Sequence, residues 1–234
     1  MNKQNKLHIG IILDGNRRYA KSKGLKPWDG HKLGAEKVEQ LFTWAKELGI
    51  TELSLYCWSM QNFSRDVLEK KFIFKIFEKS FDKLTQNKKK LDENNVKIQC
   101  VGRLHLFPKK LQEKMRKIIE MTKNNTEFTI NFCMAYGGRE EIVDAVLKIA
   151  DDLEHKKLTK KEINEEKIQE KLYLNSEPDL IIRPGGEKRT SNFLMWQSAY
   201  TEWFFLNKFW PEIEKKDIAN CISEFSQRER RFGK

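Results

Sequence analysis

The sequence predicts a single α/β domain whose central sheet is mostly parallel and is flanked by helices. Runs rich in β-branched residues recur along the 234 residues and alternate with segments of helical periodicity. No linker rich in Pro, Gly or Ser interrupts them, so one domain over residues 1–234 is expected. Such alternation favours a parallel sheet that helices cover on both faces.

Five strands are expected, each a short apolar run, at residues 7–13, 52–58, 96–102, 128–134 and 179–183. Between them, residues 35–49 and 110–125 place apolar side chains at the spacing of one helix face. Thr159 and Glu162 form a capping-box signature ahead of a further, polar helix.

Residues 72–84, FIFKIFEKSFDKL, form a helical segment that is apolar round more of its circumference than a surface helix needs. Two interpretations stay open. The segment is either an ordinary core helix or one wall of a long apolar pocket.

The formal net charge of +11 indicates an anionic partner: a nucleic acid, an acidic membrane surface or a phosphorylated substrate. Many lysines are interleaved with acidic residues on helical stretches, a pattern typical of a solvated surface. A nucleic-acid-binding protein is the competing hypothesis. The chain has no recognisable reading motif and does not gather its lysines with stacking aromatics, so we expect no nucleic acid partner.

The sequence shows neither a membrane span nor a secretory signal, so the chain is expected in the cytoplasm. Its four cysteines, Cys57, Cys100, Cys133 and Cys221, are far apart and form no C-x-x-C pair, which indicates reduced core residues. The four histidines form no zinc-site pattern. A hard cation held by carboxylate and phosphate oxygens stays open.

The unusual polar stretches lie at the ends of predicted strands. They are DGNRR (14–18), WSMQNFSR (58–65), AYGGRE (135–140) and RPGGEKRTSN (183–192). In an open parallel sheet, the loops beyond the carboxyl ends of the strands form the ligand site, so we expect all four on one rim. On their own, AYGGRE indicates close packing, and Ser64 or Asn62 indicates a cap of the next helix.

Taken alone, Asp14-Gly15-Asn16 is a turn sequence in which Gly supplies a positive φ. The stretch has neither the Walker pattern nor enough glycines for a dinucleotide fingerprint. What remains is a carboxylate followed by Arg17 and Arg18, which suits a diphosphate with its magnesium ion. Turn and site both stay open on these residues alone.

The loop after the fifth predicted strand is more specific. Arg183, Arg189 and Ser191 surround two glycines at spacings that let both guanidiniums and the hydroxyl reach one anion. A surface loop with incidental charges is the alternative. Glu202 lies in an otherwise apolar run, so it is either a second magnesium ligand or one half of a salt bridge.

From His8 to Gly233 the chain resembles the cis-prenyltransferases, the family of undecaprenyl and dehydrodolichyl diphosphate synthases. The landmarks, in the family's order, are DGNRRYAK, GHKLGAEK, LSLYCWSMQNFSR, NFCMAYGGREEI, DLIIRPGGEKRTSNFLMWQ and RERRFG. DGNRRYA and GRLHLFP are closer to archaeal and eukaryotic members than to bacterial ones. The strands, and the lack of a D-D-x-x-D box, exclude the all-helical trans enzymes.

The resemblance implies a homodimer that adds isopentenyl diphosphate units, with cis geometry, to an allylic diphosphate such as farnesyl or geranylgeranyl diphosphate. It implies Mg²⁺ as cofactor, a hydrophobic tunnel, a long-chain polyprenyl product and no Rossmann dinucleotide fold. An apolar product released from a basic protein further implies transient contact with a membrane surface, so a peripheral location at the membrane is also expected.

The resemblance also implies roles for individual residues. Asp14 would bind magnesium together with Glu202 and manage departure of the diphosphate. Asn62, with Ser59 and Arg65, would help to arrange proton removal from isopentenyl diphosphate. Gly15 would let the backbone approach the phosphate. The residues that would bind substrate are Gly15, Asn16, Arg17, Arg18, His31, Ser59, Arg65, Arg183, Arg189, Ser191, Arg231 and Gly233. Of these, Arg231 and Gly233 would reach the partner's active site.

Three positions depart from the family's usual pattern. Pro27 stands where many bacterial members have an arginine, with Lys26 as the candidate substitute, although Lys offers a point charge without a fork. Gln61 replaces an acid, and Pro184 replaces a threonine. A non-catalytic partner subunit is the alternative within the family, and retention of Asp14 and the arginines argues against it.

Overall fold

A computed structural model of the chain describes residues 6–228. Within these residues the strands are β1 His8–Ile12, β2 Glu52–Ser59, β3 Val96–Val101, β4 Phe128–Tyr136, β5 Leu180–Arg183 and β6 Glu202–Phe205. They form one sheet in the order β3-β4-β2-β1-β5-β6, and every neighbouring pair is parallel. The predicted α/β domain with a mostly parallel sheet is therefore confirmed.

Helices connect and cover these strands. In the described part of the chain they are α1 Asn16–Ser22, α2 Pro27–Glu47, α3 Val67–Gln86, α4 Lys88–Glu93, α5 Lys109–Thr122, α6 Gly138–Glu154, α7 Glu165–Lys171 and α8 Lys215–Gln227. The helix predicted at residues 110–125 is α5. The helix predicted at 35–49 begins earlier, because Pro27 occupies its first turn, where a missing N–H is harmless.

Two local predictions differ from the structure. Thr159 N donates to Glu162 Oε2 at 2.8 Å, but this capping pair heads a 3-10 turn, and α7 is capped by Asn164 instead. The strand β6 was not predicted, because its four residues follow a polar turn and gain their extended conformation by pairing with β5.

The sheet separates two apolar cores, because alternate side chains of each strand point to opposite faces. On one face Ile9, Leu53 and Ile130 pack with residues of α2, α3, α5 and α8. On the other face the Tyr56 and Phe193 rings stack at 4.7 Å between centroids. Because both faces are covered, every residue of β1 is buried.

No helix in residues 6–228 is long and apolar enough to cross a bilayer. The four cysteines are free thiols, of which three are buried and Cys57 is half-buried. Burial raises the pKa of Cys57 to about 12, so this thiol is neutral and unreactive at physiological pH.

Candidate functional site

Asp14 and Arg183 meet at the carboxyl ends of β1 and β5. Arg183 Nη2 donates to Asp14 Oδ2 at 2.8 Å, and Arg18 Nη2 donates to Asp14 Oδ1 at 3.1 Å, so each carboxylate oxygen has its own guanidinium. The two strands are hydrogen-bonded neighbours, which is why residues distant in sequence lie together. The expected meeting of DGNRR with RPGGEKRTSN on one rim is confirmed.

Asp14 is ionised in this arrangement. Burial opposes its ionisation, but the hydrogen bonds and charges of Arg183 and Arg18 outweigh burial and hold the pKa of Asp14 below its ordinary value. The side chain is 26% exposed and lines the large cavity of the domain. A charged carboxylate is therefore available to a ligand in that cavity.

Arg183 is almost fully buried, with only 3% of the residue exposed, and several hydrogen bonds hold its guanidinium in place. Besides Asp14, its guanidinium donates to the backbone oxygen of Arg189 and, at 2.7 Å, to Ser191 Oγ. Ser191 and Asn192 have φ values of 51° and 63°, which non-glycine residues adopt only where the surrounding structure enforces them. The loop therefore holds one buried guanidinium in a fixed position.

Arg189 does not converge on the same point. Its side chain is 61% exposed, and its guanidinium contacts the Glu187 carboxylate at 2.6 Å, which Arg18 also contacts at 3.2 Å. The sequence did not single out Glu187. Of the predicted anion-binding group, Arg183 and Ser191 lie together, whereas Arg189 must leave Glu187 to join them.

Gly185 and Gly15 both have a φ of 99°, which disfavours any other residue. A Cβ on Gly185 would lie 2.7 Å from the Arg18 guanidinium, so the glycine gives Arg18 its path to Asp14. A Cβ on Gly15 would lie 2.7 Å from the Phe209 ring. Backbone conformation and Phe209 therefore already favour glycine at position 15, and the approach of its backbone to a phosphate stays a prediction.

A second basic cluster lies beside the first and consists of Arg17, His31 and Arg65. Arg65 Nη1 lies 3.4 Å from His31 Nε2 and donates to Glu69 Oε1 at 3.2 Å. Burial, with the charges of Arg65 and Arg17, lowers the pKa of His31 to about 3. The imidazole is therefore neutral at physiological pH, and its Nε2 accepts from Arg65 when the proton is on Nδ1.

Three predicted amide and hydroxyl residues, Asn16, Ser59 and Asn62, line the same cavity. Asn16 Nδ2 donates to the backbone oxygen of Leu13 at 3.0 Å. Asn62 Oδ1 accepts from the backbone N–H of Ser59 at 3.1 Å within the 3-10 turn Met60–Ser64. The next helix, α3, is capped by Asp66, so the interpretation of Asn62 or Ser64 as its cap is wrong. The bond to Ser59 fixes the position of Asn62 and leaves its Nδ2 group for a ligand.

The cavity has a volume of about 1650 Å³ and starts at the charged rim. From Asp14, His31 and Arg65 it continues between the sheet and the helices α2 and α3. Its apolar walls are formed by Val38, Phe42, Ile73, Ile76, Phe77, Phe81, Leu84, Ile130, Phe132 and Met134. Residues 72–84 thus form a cavity wall, and the buried Ile73 and Phe81 also belong to the core.

The far end of the cavity is polar and lies near the amino ends of the strands. Thr51, which precedes β2, lines it together with Lys46 and Asn94, whose side chains are hydrogen-bonded at 2.9 Å. The cavity therefore runs along the strand direction, with the charged rim at one end and these polar side chains at the other. Its shape suits a long apolar chain with an anionic head.

The departures from the family's usual pattern have local explanations. Lys26 Nζ lies 5.6 Å from the Trp28 ring centroid and does not line the cavity, so the structure does not place it as a substitute for the missing arginine. Pro27 begins α2. Gln61 is exposed at the cavity, and Pro184 is buried in the loop that mounts Arg183.

Glu202 does not lie beside Asp14. The strand register places Glu202 level with Leu180 and Ile9, near the amino ends of the strands. Asp14 follows Ile9 by five residues, roughly 16 Å along the strand direction. Glu202 instead pairs with Arg228. The salt bridge is the correct interpretation, and the expectation that both carboxylates hold one magnesium ion is wrong for a single chain.

Which metal ion the site can bind depends on the ligands that its side chains offer. No group of three or more His, Cys, Asp or Glu side chains in residues 6–228 could hold a metal ion. Magnesium, however, needs only one or two carboxylates when substrate phosphates complete its coordination. The ionised Asp14 supplies one. The residues therefore fit a magnesium ion that binds together with a diphosphate.

Two predicted site residues, Arg231 and Gly233, lie outside the described residues. The sequence in turn missed Glu69, whose carboxylate contacts all three members of the second basic cluster. The signal that could have found it is the spacing of four between Arg65 and Glu69 at the start of a helix.

The family model of undecaprenyl diphosphate synthases matches residues 12–233. Over 229 residues the chain is 42% identical to a tritrans,polycis-undecaprenyl-diphosphate synthase (geranylgeranyl-diphosphate specific) of Methanopyrus kandleri, covering 97% of this chain and 84% of that protein. A protein of the same name from Methanocaldococcus jannaschii is 40% identical over 231 residues, covering 97% and 82%. These relatives are archaeal, as the sequence motifs predicted.

Among solved structures, the fold is similar to lavandulyl diphosphate synthase from Lavandula x intermedia, crystallised with dimethylallyl diphosphate. The TM-score is 0.92, the sequence identity is 33%, and the match covers 100% of both chains. The expected cis-prenyltransferase fold is therefore confirmed.

Proposed function

The chain belongs to the undecaprenyl diphosphate synthase family of cis-prenyltransferases, and from that premise we propose that it adds isopentenyl diphosphate repeatedly to an allylic diphosphate to make a long-chain polyprenyl diphosphate. One observation carries the proposal: the acid and arginine rim opens into an apolar cavity of about 1650 Å³. The cavity matches an anionic head with a long hydrocarbon tail.

Geranylgeranyl diphosphate is the proposed primer, in preference to farnesyl diphosphate. The names of the relatives at 40 to 42% identity specify geranylgeranyl diphosphate. The undecaprenyl product in those names supports a long product here.

The two diphosphates are assigned to two groups of residues at the rim. The proposed binding residues of the allylic diphosphate are Gly15, Asn16, Arg17, Arg18, His31 and Arg65. Isopentenyl diphosphate is assigned to Arg183, Arg189 and Ser191, and Ser59 and Asn62 line the same cavity. Both groups border the same cavity, so two substrates can meet with their diphosphates apart and their tails adjacent.

Bond breaking at the allylic carbon places negative charge on the departing diphosphate. Arg18 and its neighbours hold fixed positive charge where that negative charge develops, and such groups stabilise the transition state more than the ground state. Asp14 holds Arg18 and Arg183 in place and lies at the point where the diphosphate is released. Magnesium, when bound with the diphosphate at Asp14, neutralises further charge on the leaving group.

The allylic cation needs a site that excludes water, because water would capture it. Phe77, Phe81 and Ile130 line the cavity beyond the rim and bring no nucleophile near it. The Cys57 thiol also lines this part, and its raised pKa keeps it protonated. New carbon–carbon bonds can therefore form before a side reaction with solvent.

After each condensation one proton leaves the carbon chain derived from isopentenyl diphosphate. Asn62, whose side chain is fixed by its hydrogen bond with the backbone N–H of Ser59, is proposed to orient the diphosphate that takes this proton. An amide cannot act as the base itself, so its part is orientation.

A homodimer is proposed because α6 carries an exposed apolar face. Val143, Val146 and Leu147 are 53%, 53% and 58% exposed and share one side of the helix. A Cβ on Gly138, where α6 begins, would lie 2.7 Å from Met195 Cγ, and Met195 is itself 41% exposed, so the apolar face continues beyond the helix. A second copy of the chain is the occupant that this family premise supports.

The proposed dimer would let Arg231 and Gly233 serve the partner's site. In its own chain, the Arg228–Glu202 pair just beyond α8 lies near the amino ends of the strands, at the opposite end of the sheet from Asp14. The C-terminal residues are assigned to the second protomer for that reason.

We place the enzyme in the cytoplasm with its cavity entrance at the membrane surface. Leu25, Val67 and Leu68 are 43%, 58% and 72% exposed near this entrance. Trp28 on α2 and Phe72 on α3 are in contact, with ring centroids 5.8 Å apart, so these two helices pack together next to the exposed side chains. Lys26 and Lys70 are close to these side chains in the sequence, and nearby lysines suit an anionic lipid surface.

The experiment incubates the purified chain with labelled isopentenyl diphosphate, Mg²⁺ and either geranylgeranyl or farnesyl diphosphate. We expect extractable polyprenyl diphosphate with both primers and a higher kcat/KM with geranylgeranyl diphosphate. Higher kcat/KM with farnesyl diphosphate would overturn the primer assignment. No product with any primer would favour a non-catalytic subunit instead.

A further inference from the structure

One carboxylate oxygen, Glu69 Oε1, lies among three basic side chains. It is 3.2 Å from Arg65 Nη1, 3.6 Å from His31 Nε2 and 3.8 Å from Arg17 Nε. Arg17 is on α1, His31 is on α2, and Arg65 immediately precedes the cap of α3. A single side chain on α3 thus connects three segments that surround the cavity entrance.

Glu69 is behind the cavity wall, not in it. Arg65 and His31 line the cavity, whereas Glu69 does not, and its side chain is only 11% exposed. A ligand in the cavity would meet Arg65 and His31 first. Glu69 can therefore influence a bound anion mainly through the groups that it holds.

Arg65 depends on this carboxylate for its orientation. Its guanidinium packs 5.5 Å from the Trp58 ring centroid, and its ion-pair partner in the described residues is Glu69. Its other polar neighbour is the neutral His31 ring. Without the carboxylate, the guanidinium loses its charged hydrogen bond and is free to turn toward solvent.

We propose that Glu69 is a positioning residue for diphosphate binding, because it fixes Arg65 and His31 in the cavity wall and ties α3 to α1 through Arg17. The inference rests on the proposed function and extends it to a residue outside the substrate-binding set. Glu69 does not touch the diphosphate. It sets the direction in which the Arg65 donors point before the substrate arrives.

If Glu69 acts only through its charge, replacing it should strengthen anion binding. If it positions Arg65, replacing it should weaken anion binding. Removing a negative charge near an anion site would by itself strengthen anion binding. Removing the anchor of Arg65 weakens anion binding, because one charge-assisted donor must then be reordered on each binding event. The sign of the effect therefore identifies the role of Glu69.

The test measures binding of inorganic pyrophosphate to the full-length chain by titration calorimetry with Mg²⁺ present. The variants are Glu69→Gln, Arg65→Gln and the double variant. The matched control is Glu78→Gln, on the same helix, whose carboxylate pairs with Lys110 at 3.1 Å away from the cavity. Thermal unfolding of each variant reports whether the fold is retained.

We expect Glu69→Gln to weaken pyrophosphate binding about tenfold, with the control unchanged. The double variant should bind no more weakly than Arg65→Gln alone, because Glu69 acts through Arg65. In turnover, KM for the allylic diphosphate should rise by a similar factor while kcat changes little.

Stronger or unchanged pyrophosphate binding by Glu69→Gln would overturn the inference, as would additive effects in the double variant. Loss of the fold in Glu69→Gln would also overturn it, since the carboxylate would then be needed for folding. Failure of the unsubstituted chain to bind pyrophosphate is a different result. It would count against the proposed function, not against the role of Glu69 alone.

Discussion

Arg183 Nη2 and Asp14 Oδ2 meet at 2.8 Å across the carboxyl ends of two neighbouring parallel strands. The guanidinium is nearly buried, with 4% of its side chain exposed, whereas the carboxylate is 26% exposed and faces the cavity. The pair therefore has a buried half within the protein and an accessible half that faces the cavity. Under the proposed function, both stability and turnover depend on it.

Asp14→Asn should retain the fold and lose nearly all turnover, by about a thousandfold or more, because Arg18 and Arg183 lose the charge that orders them. It should also lower the free energy of unfolding by about 3 kcal/mol, because a buried guanidinium is left without its counter-charge. Steady-state assays and urea denaturation measure the two effects. Asp82→Asn, which removes the surface partner of Lys114, is the control and should change neither by much.

Stability should fall as the pH is lowered below about 6.5, and His31 should account for part of the fall. Its folded pKa of about 3 is lower than the unfolded value of about 6.5, so the unfolded chain binds more protons between these values. The groups that face the imidazole are Arg17, Arg65 and Glu69.

The matched variant is His31→Gln. Between pH 6 and pH 5 the unsubstituted chain should lose about 1 kcal/mol of unfolding free energy through this residue, and the variant should lack that loss. Urea denaturation at pH 5, 6 and 7 measures it. Identical pH slopes in the two proteins would show that His31 is protonated in the folded chain.

Ser80→Trp should shorten the polyprenyl product by one or more five-carbon units. Ser80 lines the cavity from α3, so a bulky ring there occupies space that the growing chain needs. Mass spectrometry of the products measures chain length. Lys79→Trp, on the exposed side of the same helix, should leave the product distribution unchanged. An equal shift in both variants would mean that the helix, and not the cavity, determines the length.

Val146→Asp should convert the proposed dimer into monomers and abolish most turnover, because it places a charge in the apolar α6 face. Light scattering after gel filtration measures the mass. Leu106→Asp is the control, since Leu106 is 42% exposed outside this face. A dimeric Val146→Asp protein would place the interface elsewhere.

Much of the fold could be predicted because it depends on local pattern. β1 to β5 are runs of apolar residues with turn residues at their ends, and the alternation with helices specifies a parallel sheet. The early start of α2 could not be predicted. Gly30 and Gly34 resemble helix breakers, yet a Cβ at Gly30 would lie 2.0 Å from Asn16 O. Close packing of α1 on α2 requires those glycines, and that packing is not visible in the sequence.

The rim of the site could be predicted from strand ends, but the ion pairs within it could not. The apolar surroundings of Glu202 indicated either a paired carboxylate or a metal ligand and did not decide between them. Its partner, Arg228, is known only once the register of β6 and the course of α8 are known. Glu69 was missed for a related reason. The spacing of Arg65 and Glu69 indicates their own pair only, whereas the contacts of Glu69 with Arg17 and His31 depend on how α1, α2 and α3 pack together.

The most direct test of the account is the structure of the product itself. The purified chain is incubated with geranylgeranyl diphosphate, ¹³C-labelled isopentenyl diphosphate and Mg²⁺, and the extracted polyprenyl chain is analysed by mass spectrometry and NMR. The account predicts a series of products that differ by one five-carbon unit, in which every newly formed double bond is cis. New double bonds in the trans configuration, or recovery of the primer without elongation, would contradict it.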